Sequence, residues 1–354
     1  MSSKVFILGE KSMDIMLGLL VHVAWSHYSF SHAGLYRNLH LLAAMAADQG
    51  LYRSDQSIDE GQGALERHRA LIGSYYLCAN LAEFGLAKPN PMGWTDKLSE
   101  RARNVARTGL LPSDIMMPHI LEIARVVDDF HQELRLGTAH RDSASEDFVN
   151  LHMRAAGRQL DTVRRNCPTI VGFLGFRTAL LQIHHRALRS NLIPAPRALI
   201  QCASMVKDQI DDILSQPPST LHQLSITDWA GLLDTLVLMT RLSRAHFPSS
   251  HDKSVADAVA SVLQPELIID AICSKMASAP TDDPMSPRND MLLRNLFKFC
   301  EELRRCISQS GEEQKSVHPS RTSSAFTHPL SRMSPALLEL RDGILDEELW
   351  ETLR

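Results

Sequence analysis

The chain contains no CxxC pair, no GxSxG and no GxxxxGK[ST], and each gap removes a class of chemistry. Its six cysteines, at 78, 167, 202, 273, 300 and 306, are dispersed, so neither a zinc ribbon nor a redox dithiol motif is indicated and buried reduced thiols are expected. Without GxSxG there is no strand-to-helix nucleophile elbow. At the lysine-serine pair nearest the N-terminus, Gly9 alone precedes Lys11 and Ser12, and Glu10 places a carboxylate where an anion would sit. Alternating apolar runs bounded by hairpin turns are also missing, as is any glycine-rich strand-to-helix crossover. The longest uncharged apolar run, 15–25, is shorter than the roughly 18 residues of a membrane span and carries His22. No secretory leader is expected, because the apolar patch after Lys4 stops at Gly9 and Glu10.

What is present is helical periodicity in a chain of 354 residues that is 44 % hydrophobic, enough for a substantial core. Ser12 is placed to cap a helix over 12–25, and Ile15, Met16, Leu19, Leu20, Val23 and Ala24 cover enough of its circumference to predict burial on several sides. Leu35, Leu39, Leu42 and Met45 form the next stripe, ending at Gly50, a left-handed stop. Leu65, His68, Ile72, Tyr75, Tyr76 and Ala79 form another. After KPNPMGWT, Thr95 is the expected cap of a short basic helix. Ser113 is the expected cap of a longer one, bent early by Pro118, with Ile120, Ile123, Val127, Phe130 and Leu134 on one face. Phe148, Leu151, Ala155, Leu160 and Val163 predict a further helix, and three more are expected over 170–188, 199–214 and 226–242. The fold class is therefore all-α, an irregular multi-helix array without a solenoid repeat.

Composition changes late in the chain. Residues 1–309 read as one helical domain, 310–334 as a Ser- and Pro-rich disordered linker, and 335–354 as a short acidic amphipathic helix. In that tail Leu345, Leu349 and Trp350 are the candidate partner-binding residues, and a helix that docks back on the domain is the alternative. The tail has six acids against two bases. The whole chain is −4, so residues 1–334 are formally neutral and offer no basic surplus for nucleic acid.

Candidate chemistry is sparse. Asp128, Asp129 and Glu133, with Asp208, Asp211 and Asp212, could hold magnesium on an isoprenoid diphosphate in an all-α enzyme. The second acidic motif of such enzymes fails here, since Asn289 and Asp290 are followed by Leu293 and Phe297 where serine and glutamate are needed. His22, His27 and His32 are five apart and His184 adjoins His185, whereas helical zinc ligands stand four apart, so a core histidine at 22 and polar edges elsewhere are expected. Cys78 has no activating neighbour in the sequence, and Tyr75 and Tyr76 read as core and interface. No catalytic, cofactor-binding or metal residue is assigned.

The words GEKSMDIMLGLLVHVAWSHY, LHLLAAMAADQGLYR, RALIGSYYLCANLA and KPNPMGWTDKL, in that order over roughly residues 9 to 135, resemble the middle homology region of fungal binuclear zinc-cluster transcription factors. There a helix resembling EKSLDLLQGLLVYLAW precedes one ending MAxDLGL and another reading RALLGCYYL. WAGLLDTLVLMTRLS and DEELWETL look like later parts of such proteins. Members carry an N-terminal six-cysteine cluster, CxxCx6C repeated, that holds two zinc ions and reads DNA. No cysteine here matches it, so the chain is expected to be a shortened member or an incomplete gene model. The resemblance implies a nuclear transcription regulator, not an enzyme, concerned with metabolic or secondary-metabolite genes. It is expected to need no cofactor, to bind no DNA sequence by itself and to touch no membrane. Its expected partners are proteins, among them a full-length zinc-cluster factor, and a small-molecule effector. An isoprenoid-diphosphate enzyme and a metabolite-binding helical module are the alternatives.

Overall fold

At the start of the first helix the Ile15 amide donates to the Ser12 hydroxyl across 3.2 Å, the N-cap bond that a serine at this place is suited to make. The computed structural model describes residues 12–25, 32–52, 62–82, 88–139, 146–189, 196–244, 250–278, 296–301, 303–305 and 307. In order they form α1 (Met13–Trp25), α2 (His32–Asp48), α3 (Gln62–Asn80), α4 (Asp96–Thr108), α5 (Met117–Ala139), α6 (Glu146–Asn166), α7 (Leu174–Arg189), α8 (Pro196–Ser215), α9 (Ile226–Arg244), α10 (Ser250–Leu263) and α11 (Pro265–Ala277). Residues 296–301 and 303–305 are helical too, 3-10 turns lie at Pro112–Met116, Pro168–Gly172 and Pro218–Gln223, and the described residues include no strand. The fold is all-α. The linker 310–334 and the tail 335–354, with Leu345, Leu349 and Trp350, lie outside the described residues.

The residues separate into two compact units, one within Met1–Ile183 and Ser225–Ala230, the other within His184–Leu224 and Gly231–Arg354. In the first unit α3 is the hub, packed against α1, α2, α4 and α5. Its buried positions, among them Leu65, Ala70, Leu71, Ile72, Ser74, Tyr75, Leu77, Cys78 and Ala79, run right round the helix. Expected to be buried on several sides, α1 instead buries one stripe, Met16, Leu19, Val23 and Ala24, and exposes Val21, His22 and Trp25. The difference lies in side-chain size. Small residues in α3 let neighbours close in from every direction: a methyl group at Gly73 would lie 3.1 Å from Leu20 Cδ1 of α1.

Helix α2 ends as its sequence predicts. Gly50 adopts φ 66, its amide bonds Ala47 O (2.9 Å) and the Leu51 amide bonds Ala46 O (3.0 Å), closing a Schellman turn over which Leu51 is buried. Two expected caps differ. Thr95 occupies the N-cap position of α4, but its buried hydroxyl makes no cap bond. Ahead of α5, Asp114 rather than Ser113 closes the turn by accepting from the Leu111 amide at 3.0 Å, and Pro118 lies in the first turn of α5, where a missing N–H costs nothing. Along α6 the buried stripe is Val149, Ala156, Leu160 and Val163, while Leu151 is 56 % exposed. At 100° per residue these four fall within about 60° of one another, and the expected 148, 151 and 155 lie roughly 120° away. The helix expected from residue 170 begins only at Leu174, after the 3-10 turn.

In the second unit α8 carries α10 and α11. Leu199, Cys202, Ala203, Val206, Ile210 and Ile213 form its apolar face. From Gly231 to Thr240 nearly every residue of α9 is buried or half-buried. The Lys275 ammonium of α11 donates to the carbonyls of Leu214 (3.1 Å) and Gln216, satisfying oxygens that the end of α8 leaves without partners.

Candidate functional site

The most densely connected polar group of the first unit is Asp128, on the inner face of α5 and 1 % exposed. Its Oδ2 accepts from the Tyr75 hydroxyl (3.1 Å) and the Asn90 amide (2.8 Å), and its Oδ1 accepts from Gln132 one turn on (3.0 Å). These bonds tie α3 and α5 to residues 88–95. The same segment is held elsewhere: the Tyr36 hydroxyl of α2 donates to Pro89 O (3.0 Å), Lys88 lies 4.7 Å over the Tyr36 ring, and Asn90 Oδ1 accepts from the Met92 amide (2.9 Å). Trp94 meets Tyr75 edge-on at 5.4 Å and takes the Arg125 guanidinium 4.9 Å above its ring. The segment 88–95 is therefore pinned by three helices.

The electrostatics fit anchoring rather than turnover. Burial pushes the Asp128 carboxyl above the usual carboxylate range, against the pull of its three donors, and burial beside that carboxylate pushes the Tyr75 phenol far up. Asp129, 49 % exposed, faces the other way and pairs with Arg125 at 3.4 Å. Adjacent residues stand about 100° apart on a helix, so the acidic pair does not converge. One helix turn before α5, Arg69 Nε and Nη2 grip Asp114 Oδ1 and Oδ2 at 3.0 and 2.7 Å. That hydrogen-bonded guanidinium holds the Asp114 carboxyl below its ordinary value.

A second polar cluster lies in the second unit. The ring of His185, buried on α7, has Nδ1 2.8 Å from Asp234 Oδ2 and Nε2 2.7 Å from Arg241 Nη1, both on α9. Arginine can only donate, so Nε2 accepts and Nδ1 donates: the ring is a neutral bridge between a carboxylate and a guanidinium. Nearby, Gln209 of α8 donates to Thr235 Oγ1 of α9 at 3.1 Å. Asp234 and Arg241, seven residues apart and so on one face, were a readable signal that the sequence analysis missed.

The remaining candidates are scattered. Asp208, Asp211 and Asp212 are exposed on α8, with Asp211 paired to Lys207 at 2.8 Å. His22, expected in the core, stands on the exposed side of α1 beyond the Met16–Leu19–Val23 stripe; His27 lies outside the described residues, as do Asn289, Asp290 and Leu293. The buried thiol of Cys78 faces Leu39 O at 3.6 Å, and burial pushes its pKa up, the opposite of activation. Tyr75 is core as expected, and the half-buried Tyr76 bonds Thr227 beside the cap of α9, where Ser225 and Asp228 bond reciprocally. Among the described residues no three His, Cys, Asp or Glu side chains gather as metal ligands, and no helix is long and apolar enough to cross a membrane.

Compared with known proteins, the chain is 24 % identical over 303 residues to the transcription factor opdL of Penicillium oxalicum (strain 114-2 / CGMCC 5302), with 76 % of this chain and 52 % of that protein covered. The chain is similar to a fungal transcription factor. It spans about half the length of the curated relative it matches. No family model and no solved structure matches it. The similarity agrees with the coarser part of the resemblance read from the sequence, a likeness to fungal transcription factors. The words that carry that resemblance include the two halves of the clamp around Asp128, RALIGSYYLCANLA on α3 and KPNPMGWT over 88–95.

Proposed function

We propose that this chain is a nuclear regulator of transcription, of the zinc-cluster factor type in its helical region, and that it acts through protein partners. The similarity to a fungal transcription factor over 76 % of the chain carries the reading. The clamp supports it, because its buried carboxylate already accepts three hydrogen bonds that tie helices together, the role of an anchor rather than of a magnesium ligand. Residues 1–334 are formally neutral and no CxxC is present, so this chain taken alone offers neither a basic footprint nor a zinc cluster for reading DNA. A full-length zinc-cluster factor is the partner proposed to bring it to metabolic or secondary-metabolite genes. Leu345, Leu349 and Trp350, spaced among acids, are the proposed contact residues of the tail.

A nuclear reporter assay tests the reading together with anisotropy titration of the purified chain at physiological salt. Tethering the chain to a heterologous DNA-binding domain is expected to change reporter output, and Leu345→Ala/Leu349→Ala/Trp350→Ala is expected to abolish the change. The chain alone is expected to show no sequence-specific DNA binding and to hold no stoichiometric zinc. Salt-resistant, sequence-selective binding by the lone chain would overturn partner dependence; a silent tethered chain would overturn the regulatory role.

A further inference from the structure

Cys273 on α11 and Cys300 on the helical residues 296–301 come from separate stretches of chain, and the ion pair of Asp270 and Arg304, about one helix turn from each of them, draws these stretches together so that each sulfur acts on the other inside the second unit. Both are free and buried, Cys300 completely and Cys273 to 9 % exposure. The Arg304 guanidinium of that ion pair is a positive charge that acts on both sulfurs. On the same two segments Ile269, Met276, Leu296, Phe299 and Leu303 are buried, so both segments contribute to the apolar interior.

We propose that Cys273 and Cys300 form a redox-sensitive dithiol, which a peroxide converts to a disulfide that ties α11 to the helical residues 296–301. Cys273, the more accessible sulfur, loses its proton and attacks one peroxide oxygen; the O–O bond breaks, hydroxide leaves and picks up that proton as water, and Cys273 becomes a sulfenic acid. The Cys300 sulfur then attacks the sulfenic sulfur, the S–O bond breaks, and the departing hydroxyl takes the Cys300 proton as a second water. Two thiols and one hydrogen peroxide thus give one disulfide and two waters. Burial raises the pKa of both thiols and Arg304 offsets this only in part, so the first step is slow, and it is the neighbouring sulfur that sets this pair apart from the other buried cysteines. Cys78 and Cys202, the latter pushed up to about 12, have no neighbouring sulfur among their interactions.

The test uses the full chain exposed to hydrogen peroxide, quenched, denatured, alkylated and cut with trypsin. Cleavage separates the three late cysteines: Cys273 falls in residues 254–275, Cys300 in 299–304 and Cys306 in 306–315, so connectivity is unambiguous. The expected product is the crosslinked 254–275/299–304 pair, reversed by dithiothreitol, with alkylatable thiols falling from six to four. Cys306→Ser is expected to leave the crosslink intact and Cys273→Ser to abolish it. The proposal is overturned if 254–275 is recovered alkylated and unlinked at peroxide doses that oxidise other cysteines, or if it is found joined to 306–315 instead. Since the wild-type chain supplies the deciding spectrum, a variant that fails to fold does not obscure the result.

Discussion

Replacing Asp128 by alanine removes the acceptor of three donors at once, but the three losses are unequal. Gln132 is exposed and Asn90 is half-buried, so water can take over their bonds at small cost. Tyr75 is fully buried, and its hydroxyl is left without an acceptor, which costs about 1–3 kcal/mol. A small void under α5 adds to this, while release from burying a carboxylate offsets part of it, so Asp128→Ala is expected to cost about 2 kcal/mol. Asp128→Asn keeps an oxygen where Oδ2 accepts from Tyr75 and Asn90, and Gln132 need only flip its amide to meet the new NH2, so it is expected to cost under about 1 kcal/mol. Urea denaturation followed by circular dichroism measures both. The sign of the pH dependence is a second handle. Because burial raises the Asp128 pKa, the folded chain takes the proton before the unfolded chain does. Wild-type stability relative to Asp128→Asn should therefore rise as pH falls through the raised value and level off below the ordinary carboxylate pKa. An asparagine variant as costly as the alanine variant, or a wild-type advantage that shrinks on acidification, would refute the argument.

Three further outcomes follow from the same structure. Leu20→Asp sets a carboxylate against the α3 backbone at Gly73, where a methyl group would already lie 3.1 Å from Leu20; a loss of several kcal/mol is expected in denaturant titration, and wild-type stability would show that α1 is not packed there. Gly50→Ala forces a Cβ into φ 66 and should cost about 1 kcal/mol, read as a lower unfolding midpoint. Arg69→Met strands the buried Asp114 carboxylate at a cost of about 3–5 kcal/mol near neutral pH. With Arg69 present the Asp114 pKa is lowered, so the pair's stabilisation is complete above the ordinary carboxylate pKa and is lost as pH falls through the lowered one; a variant penalty that grows on acidification would count against it.

Much of the helical plan was legible because single residues carry it locally. Ser12 and Gly50 each set a helix end through bonds to residues within one turn, and those ends are where the sequence places them. Thr95 and Ser113 have the same local chemistry, but neither hydroxyl makes the cap bond; at the second turn a competing carboxylate, Asp114, was available nearby and arginine-bound. Burial was less legible than periodicity. Hydrophobic content pointed to α1 as the enclosed helix, yet enclosure depends on how closely neighbours approach, and the small residues of α3 decide that. The site was legible only as ingredients. Asp128, Tyr75 and the KPNPMGWT words all stood out, but that they share one carboxylate depends on contacts spanning 53 and 38 residues, which no spacing rule reveals.

The lysine that closes the end of α8 has a consequence for synthesis on the ribosome. Lys275 reaches back 61 residues to Leu214, so when α8 leaves the exit tunnel the group that satisfies its final carbonyls has not yet been made. At typical elongation speeds the gap lasts roughly 3–12 s, much longer than a helix needs to form. During that interval the last turn of α8 is open to water and to chaperones, and it becomes a finished surface only when α11 arrives.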